Sequence, residues 1–133
     1  MHILLVEDTL IAQIATKALF VKLGHVVDTA IDGKSALAQT MGTHYDLILM
    51  DIGLGEGPDG FAVTGLIKQQ GDLNKATPII AVTAHNEPEY LERAKSQGMA
   101  GYFTKPLTTR DAEEIVRYLQ NPESIFITRG QID

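Results

Sequence analysis

Apolar residues along the chain gather into five short runs, at positions 3–6, 26–30, 47–50, 79–82 and 101–103. Most are aliphatic or β-branched with little alternation, the pattern of strands covered on both faces. Between the runs the apolar spacing lengthens to that of helices. Ile11, Ile14, Ala15, Ala18 and Leu19 recur at helix spacing, and Gly24 follows as a stop. A second helix is expected over about 34–41, after the Asp32 and Gly33 turn. A third starts near Gly60 and carries Val63, Leu66 and Ile67. The fourth starts near Glu87 and Pro88, where proline suits a first turn, and ends at Gly98. The fifth sets Ala112, Ile115, Val116 and Leu119 on one face.

Strands alternating with helices in this way predict an α/β fold, a doubly wound (βα)₅ unit. Its five-stranded parallel sheet would be covered on both faces and joined by right-handed crossovers. Residues 121–133 lose the helical pattern and are expected to be a C-terminal extension or linker stub to a domain spanning 1–120. There are no internal repeats and no low-complexity tracts.

Composition narrows the class. An apolar fraction of 44% and a charged fraction of 21% are ordinary for a globular chain of 133 residues. A formal net charge of -6 opposes direct binding to nucleic acid or to an anionic membrane surface. The chain has no cysteine, which removes disulfides, thiol chemistry and cysteine-based zinc sites. No apolar run is long enough to span a bilayer, and the start carries neither basic region nor cleavage site. A cytoplasmic location without membrane insertion is the expectation.

In open sheets of this kind, functional groups collect beyond the carboxyl ends of the strands. Glu7 and Asp8 follow the first run, Asp51 the third, Thr83 the fourth, and Thr104, Lys105 and Pro106 the fifth. Taken singly, most have a plain structural reading. Asp8 could cap a helix, Glu7 and Lys105 could face solvent, and Thr83 could satisfy a backbone group at a strand end. Asp51 is harder to explain, because it follows the apolar residues 47–50 directly. Three clustered carboxylates would repel one another and raise each other's pKa values. A hard divalent cation relieves this, and oxygen-only ligands with room for water suit Mg²⁺. With Lys105 added, such a site comes close to neutral, so a phosphoryl group can approach a carboxylate nucleophile.

The ordered set Glu7, Asp8, Asp51, Thr83, Lys105 and Pro106 on a (βα)₅ chain resembles the receiver domain of two-component response regulators. The resemblance runs from Met1 to about Leu119. It implies a flavodoxin-like sheet of strand order 2-1-3-4-5. It further implies that Glu7, Asp8 and Asp51 hold Mg²⁺ together with the backbone carbonyl of Gly53. Asp51 would be phosphorylated by a phosphohistidine donor, either a histidine kinase or a histidine phosphotransfer protein. Thr83 and Lys105 would bind the phosphoryl group, Tyr102 would be the aromatic switch that turns inward, and Pro106 would follow a cis peptide. A downstream protein would read the face made by the fourth helix, fifth strand and fifth helix. The bland alternative for Tyr102 is an aromatic packed between strand and helix. Residues 98–106 are similar to receivers attached to hybrid sensor kinases; any kinase activity would then lie outside this chain, which is itself not expected to be an enzyme beyond its own phosphotransfer and dephosphorylation.

The loop after Asp51 departs from the family pattern. Receivers usually carry a proline four residues after the phosphorylated aspartate and a glycine eight after it. Here Gly55 takes the proline position and Gly60 arrives one residue late, so the loop is longer and rich in glycine. Glu56 is either an acidic neighbour of the site or a solvated loop acid. Gly53 and His85 occupy the two variable positions that tune phosphoryl lifetime in receivers. His2, His25 and His44 form no metal spacing and read as structural or surface residues.

Rival functions on a similar architecture fit less well. A flavin mononucleotide site needs a hydroxyl- and glycine-rich cradle after the first strand, where this chain has Glu7 and Asp8. A dinucleotide-binding domain fails likewise, because no G-x-G-x-x-G fingerprint follows the first strand, and a P-loop is absent. Two alternatives stay open: a Mg²⁺-dependent aspartyl phosphatase, and a degenerate receiver acting as a protein-interaction module.

Overall fold

In the computed structural model, residues 1–55, 57–121 and 125–129 are described. Glu56 and most of the extension beyond Asn121 lie outside them.

The chain runs β1 (His2–Val6), α1 (Leu10–Lys22), β2 (Val26–Ala30), α2 (Gly33–Gly42), β3 (Leu47–Met50), α3 (Gly60–Gln69), β4 (Ile79–Thr83), α4 (Pro88–Ser96), β5 (Gly101–Thr104), α5 (Thr109–Gln120) and β6 (Ile127–Thr128). The strands form one sheet of order β2-β1-β3-β4-β5-β6, and every neighbouring pair is parallel. The expected (βα)₅ unit and its 2-1-3-4-5 order are therefore present. A sixth, two-residue strand is added from the C-terminal extension.

Successive strand residues feed opposite faces, as the pleat requires. Leu4, Val6, Ile48, Met50, Ala81 and Tyr102 pack with Phe61, Ile67 and Ala94 from α3 and α4. Ile3, Leu5, Leu47, Leu49, Ile80, Val82 and Phe103 pack on the other face with Phe20, Ala112 and Ile115 from α1 and α5. Double coverage explains why the runs read as continuous apolar stretches.

Local chemistry sets the helix starts. Asp32 and Ser35 form a capping box on α2, and Thr108 and Asp111 form another on α5. Asp59 caps α3 by accepting from the Ala62 N–H at 2.8 Å. Pro88 opens α4, in the first-turn position its missing N–H allows.

Helix α1 forms where its spacing predicts, but with its face reversed. Its buried residues are Gln13 and Phe20. Leu10, Ile11 and Ile14 stay 70%, 84% and 61% exposed. Periodicity located the helix, whereas contact with β1 and α5 decided which side turned inward.

Candidate functional site

At the carboxyl edge of the sheet, β1 ends at Val6 and β3 at Met50, paired side by side in register. The residues that follow are thus adjacent: Glu7 and Asp8 on one strand, Asp51 on the next. Carboxylate oxygens of Glu7, Asp8 and Asp51 all lie within 4.8 Å of one another. Glu7 and Asp51 are buried, and Asp8 is exposed at the rim.

Lys105 reaches in from the end of β5. Its Nζ lies 3.0 Å from Asp51 Oδ2 and makes a close ion pair with Glu7 Oε1. Burial pushes the Lys105 ammonium down, but hydrogen bonds to Glu7 and Asp51 and their charges outweigh it, and the net shift is upward. The ammonium is held charged. The Asp8 carboxyl is pushed up, first by burial and then by its hydrogen bond and charge contact with Glu7. Three carboxylates against one ammonium leave the cluster short of positive charge. An all-oxygen donor set with one member open to solvent is a suitable bed for a hard divalent cation.

The acids are held in place by groups that the sequence did not single out. Thr9 donates its N–H to Glu7 Oε2 at 3.1 Å and its hydroxyl to the same oxygen at 3.3 Å. The buried Gln13 amide donates to the Glu7 carbonyl at 2.7 Å. No sequence signal marked Gln13, because the spacing of apolar residues pointed to the other face of α1. Asp8 does not cap α1: Thr9 occupies that position, and its hydroxyl bonds to Glu7 rather than to the helix N–H groups.

Gly53 donates its N–H to Asp51 Oδ1 at 3.1 Å, which leaves it beside the acid cluster. The lengthened loop turns on Gly55 and Gly57, with φ of +72° and +88°. A Cβ on Gly55 would sit 3.4 Å from Asp8 Oδ2, so this glycine lies against the cluster. The loop then rejoins the fold at Gly60, where a Cβ would come within 2.3 Å of the Asp51 carbonyl. Any side chain there would push α3 off the Asp51 backbone.

Thr83 is buried at the end of β4, and its Oγ1 accepts the His85 N–H at 3.2 Å. The Tyr102 ring is buried among the residues facing α3 and α4. Its hydroxyl donates to the His85 carbonyl at 2.5 Å. Burial, with the charge of Glu87 nearby, pushes the Tyr102 phenol up, which keeps the donor proton in place. The Lys105–Pro106 peptide is cis.

The His85 ring is not directed at the cluster. It stacks on Tyr90 with centroids 4.6 Å apart, and its Nδ1 lies 3.5 Å from Glu87 Oε2. Its backbone, by contrast, touches both Thr83 and Tyr102. His2 pairs with Asp28 at 2.8 Å, His25 lies against the Met1 amine at 2.9 Å, and His44 is exposed. None of the three approaches the acids. The position of Glu56 falls outside the described residues.

Comparison with known proteins gives consistent matches. The family model "Response regulator receiver domain" matches residues 3–117. A probable histidine kinase 2 of Oryza sativa subsp. indica is 35% identical over 131 residues, covering 87% of this chain and 12% of its own length. Sensor histidine kinase AruS of Pseudomonas aeruginosa is 39% identical over 108 residues, covering 80% of this chain and 11% of its own. The chain therefore spans only about a tenth of the length of these curated relatives. Among solved structures, the receiver domain of sensor histidine kinase PA1611 from P. aeruginosa superposes with a TM-score of 0.79 at 32% identity. The match covers 90% of this chain and 97% of that one, and that protein was solved with a magnesium ion coordinated in its active-site cleft.

Proposed function

The chain belongs to the response regulator receiver domain family, the phosphoacceptor switches of two-component systems, and from that premise we propose that Asp51 accepts its phosphoryl group from a phosphohistidine donor. The observation that carries this reading is the charge deficit: Glu7, Asp8 and Asp51 converge within 4.8 Å around a single ammonium, Lys105. Mg²⁺ fits the donor set. Glu7, Asp8, Asp51 and the Gly53 carbonyl would hold it, and it would supply the positive charge that lets a phosphoryl group approach.

The chain's own residues do the rest. An Asp51 carboxylate oxygen attacks phosphorus in line; the new P–O bond forms as the P–N bond breaks and the imidazole leaves. Lys105 exchanges part of its contact with Asp51 for a phosphoryl oxygen. Thr83 releases the His85 N–H and turns its hydroxyl toward the same group. Because the Tyr102 hydroxyl is bonded to the His85 carbonyl, movement of that segment is passed to Tyr102 and hence to the face of α4, β5 and α5. The outcome is a shift between two populations of one fold. Gly53 and His85 tune how long the phosphoryl group survives, His85 through its backbone rather than its ring.

The donor would be a histidine kinase or a histidine phosphotransfer protein. Leu10, Ile11 and Ile14, largely exposed on α1 just past Asp8, offer it an apolar landing surface beside the acids. A downstream protein would read the α4, β5 and α5 face. Among the described residues no helix is long and apolar enough to cross a membrane, and we place the domain in the cytoplasm.

Incubation with acetyl phosphate and Mg²⁺ tests the reading by intact mass and peptide mapping. One added phosphoryl group on Asp51, lost in Asp51→Asn, is the expected result. Sustained turnover of a phosphoester would favour an aspartyl phosphatase. No labelling under conditions that label another receiver would leave an interaction module.

A further inference from the structure

The β5 edge of the sheet is filled by the chain itself. Strand β6 runs parallel to β5, with Ile127 opposite Gly101 and Thr128 opposite Tyr102. Ile127 donates its N–H to the Ala100 carbonyl at 3.0 Å and buries its side chain among residues of α5 and β5. The fit depends on the residue at 101: a Cβ there would lie 2.6 Å from the Ile127 carbonyl oxygen and 2.7 Å from its Cγ1. Only glycine lets a strand approach so closely.

One residue further on, Arg129 anchors the strand. Its Nε lies 3.1 Å from both oxygens of Asp111, and its Nη2 lies 3.0 Å from Asp111 Oδ2. Nη1 donates to Thr104 Oγ1 at 2.9 Å, while Nη2 also donates to the Thr104 carbonyl and to the Pro106 carbonyl, the latter at 3.3 Å. The fork therefore grips the residues on both sides of Lys105. Asp111 is only 2% exposed, so an uncompensated charge there would be costly. Phe126 is partly buried against the opposite core face, with Lys95 of α4 5.6 Å from its ring. The slot thus has four fixed parts: a side-chain-free strand position, an apolar recess, a buried acid and two carbonyls.

We propose that this edge is a strand-accepting slot, specific for an extended segment with an aliphatic residue two before an arginine, and that residues 126–129 fill it as an intramolecular ligand. Any partner that engages the β5 edge must either present such a segment and displace β6, or dock around it. The consequence for output rests on the reading of the α4, β5 and α5 face given above. The slot itself does not, because it needs neither Asp51 nor a cation.

Amide exchange and NMR shifts of the full chain, without phosphodonor, test this directly. In wild type the Ile127 amide should exchange slowly. Arg129→Ala and Asp111→Asn should each speed it tenfold or more, the double variant no further, and Arg129→Lys should restore part of the protection. A peptide of residues 125–129 added to Arg129→Ala should return the Gly101 and Thr104 signals toward their wild-type positions, yet leave wild type unchanged. Unaltered Ile127 exchange in Arg129→Ala would overturn the anchor. Equal peptide binding by wild type would overturn self-occupation, and absence of peptide shifts in the variant would overturn the slot. The same measurements on Asp51→Asn should match wild type, so a failure here leaves the phosphoacceptor reading standing.

Discussion

Two groups of acid lie at the carboxyl edge of the sheet, and they meet opposite conditions. Glu7, Asp8 and Asp51 crowd around one ammonium, with the Asp8 carboxyl pushed up by burial and by Glu7. Asp111 receives Nε and Nη2 of the Arg129 guanidinium, plus the Thr108 N–H at 2.9 Å. Burial raises the Asp111 carboxyl, but the Arg129 and Thr108 donors outweigh it, and the net shift is downward. One group is left with a demand for positive charge, the other has that demand met. Unmet demand is what a binding site requires, because a ligand gains only from interactions the protein has not already made. Met demand is what holds a strand in place.

The largest test of this contrast is chemical. Asp51→Asn should abolish labelling by acetyl phosphate with Mg²⁺, while Arg129→Ala should label as wild type does; mass spectrometry of both checks it. An unlabelled Arg129→Ala would mean that the two groups are one functional unit.

Next in size is the response to metal. If the first group is under-neutralised, Mg²⁺ at a hundredfold over its dissociation constant should stabilise the fold by about 2.7 kcal/mol. For a domain of this size that is a rise in Tm of roughly 10 °C, reversed by a chelator. Asp8→Asn should lose most of the rise, and Asp111→Asn should keep it. Equal loss in both variants would erase the distinction.

Removing the satisfied acid should cost more than removing the unsatisfied one when metal is absent. Asp111→Ala loses the Arg129 pair and a member of the α5 capping box, a cost of about 1–3 kcal/mol by denaturant unfolding. Asp8→Asn relieves repulsion at an exposed position and should stay within about 0.5 kcal/mol, on the stabilising side.

The smallest effect is the pH profile of β6. Since the folded pKa of Asp111 lies below its unfolded value, its contribution is present above the ordinary carboxylate range near ~3.9 and is lost as pH falls through the lowered value. Protection of the Ile127 amide should therefore persist on acidification after Asp8 has taken its proton. Release of Ile127 before Asp8 titrates would contradict the assignment of which acid is the satisfied one.

These two groups also mark what could be read from the chain beforehand. The acids at the carboxyl edge were legible because each follows an apolar run directly, and parallel strands in register bring such residues together. Thr83 and Lys105 were found by the same logic. The Asp111 group was not, because Arg129 lies 18 residues away in sequence, in a stretch without periodicity. A strand of two residues has too few positions to show alternation; only the glycine opening β5 hinted that something passes close by. The reversed face of α1 escaped for a related reason. Spacing reports that a helix forms, while the side it buries depends on neighbours that a one-dimensional pattern does not contain. For His85 the sequence marked only a position beside Thr83; its ring stacks on Tyr90 and its backbone contacts Thr83 and Tyr102, an arrangement set by neighbours that the spacing does not reveal.

Strand β6 carries one further consequence, for how the domain travels between proteins. A row of bare backbone groups along a sheet margin invites pairing with any other chain, and aggregation follows from it. By carrying its own margin strand, this domain is sealed on the β5 side whatever is joined to it. A fusion made just after α5 would cut the seal away. Such a product should be prone to self-association through β5, while one joined beyond residue 129 should stay monodisperse.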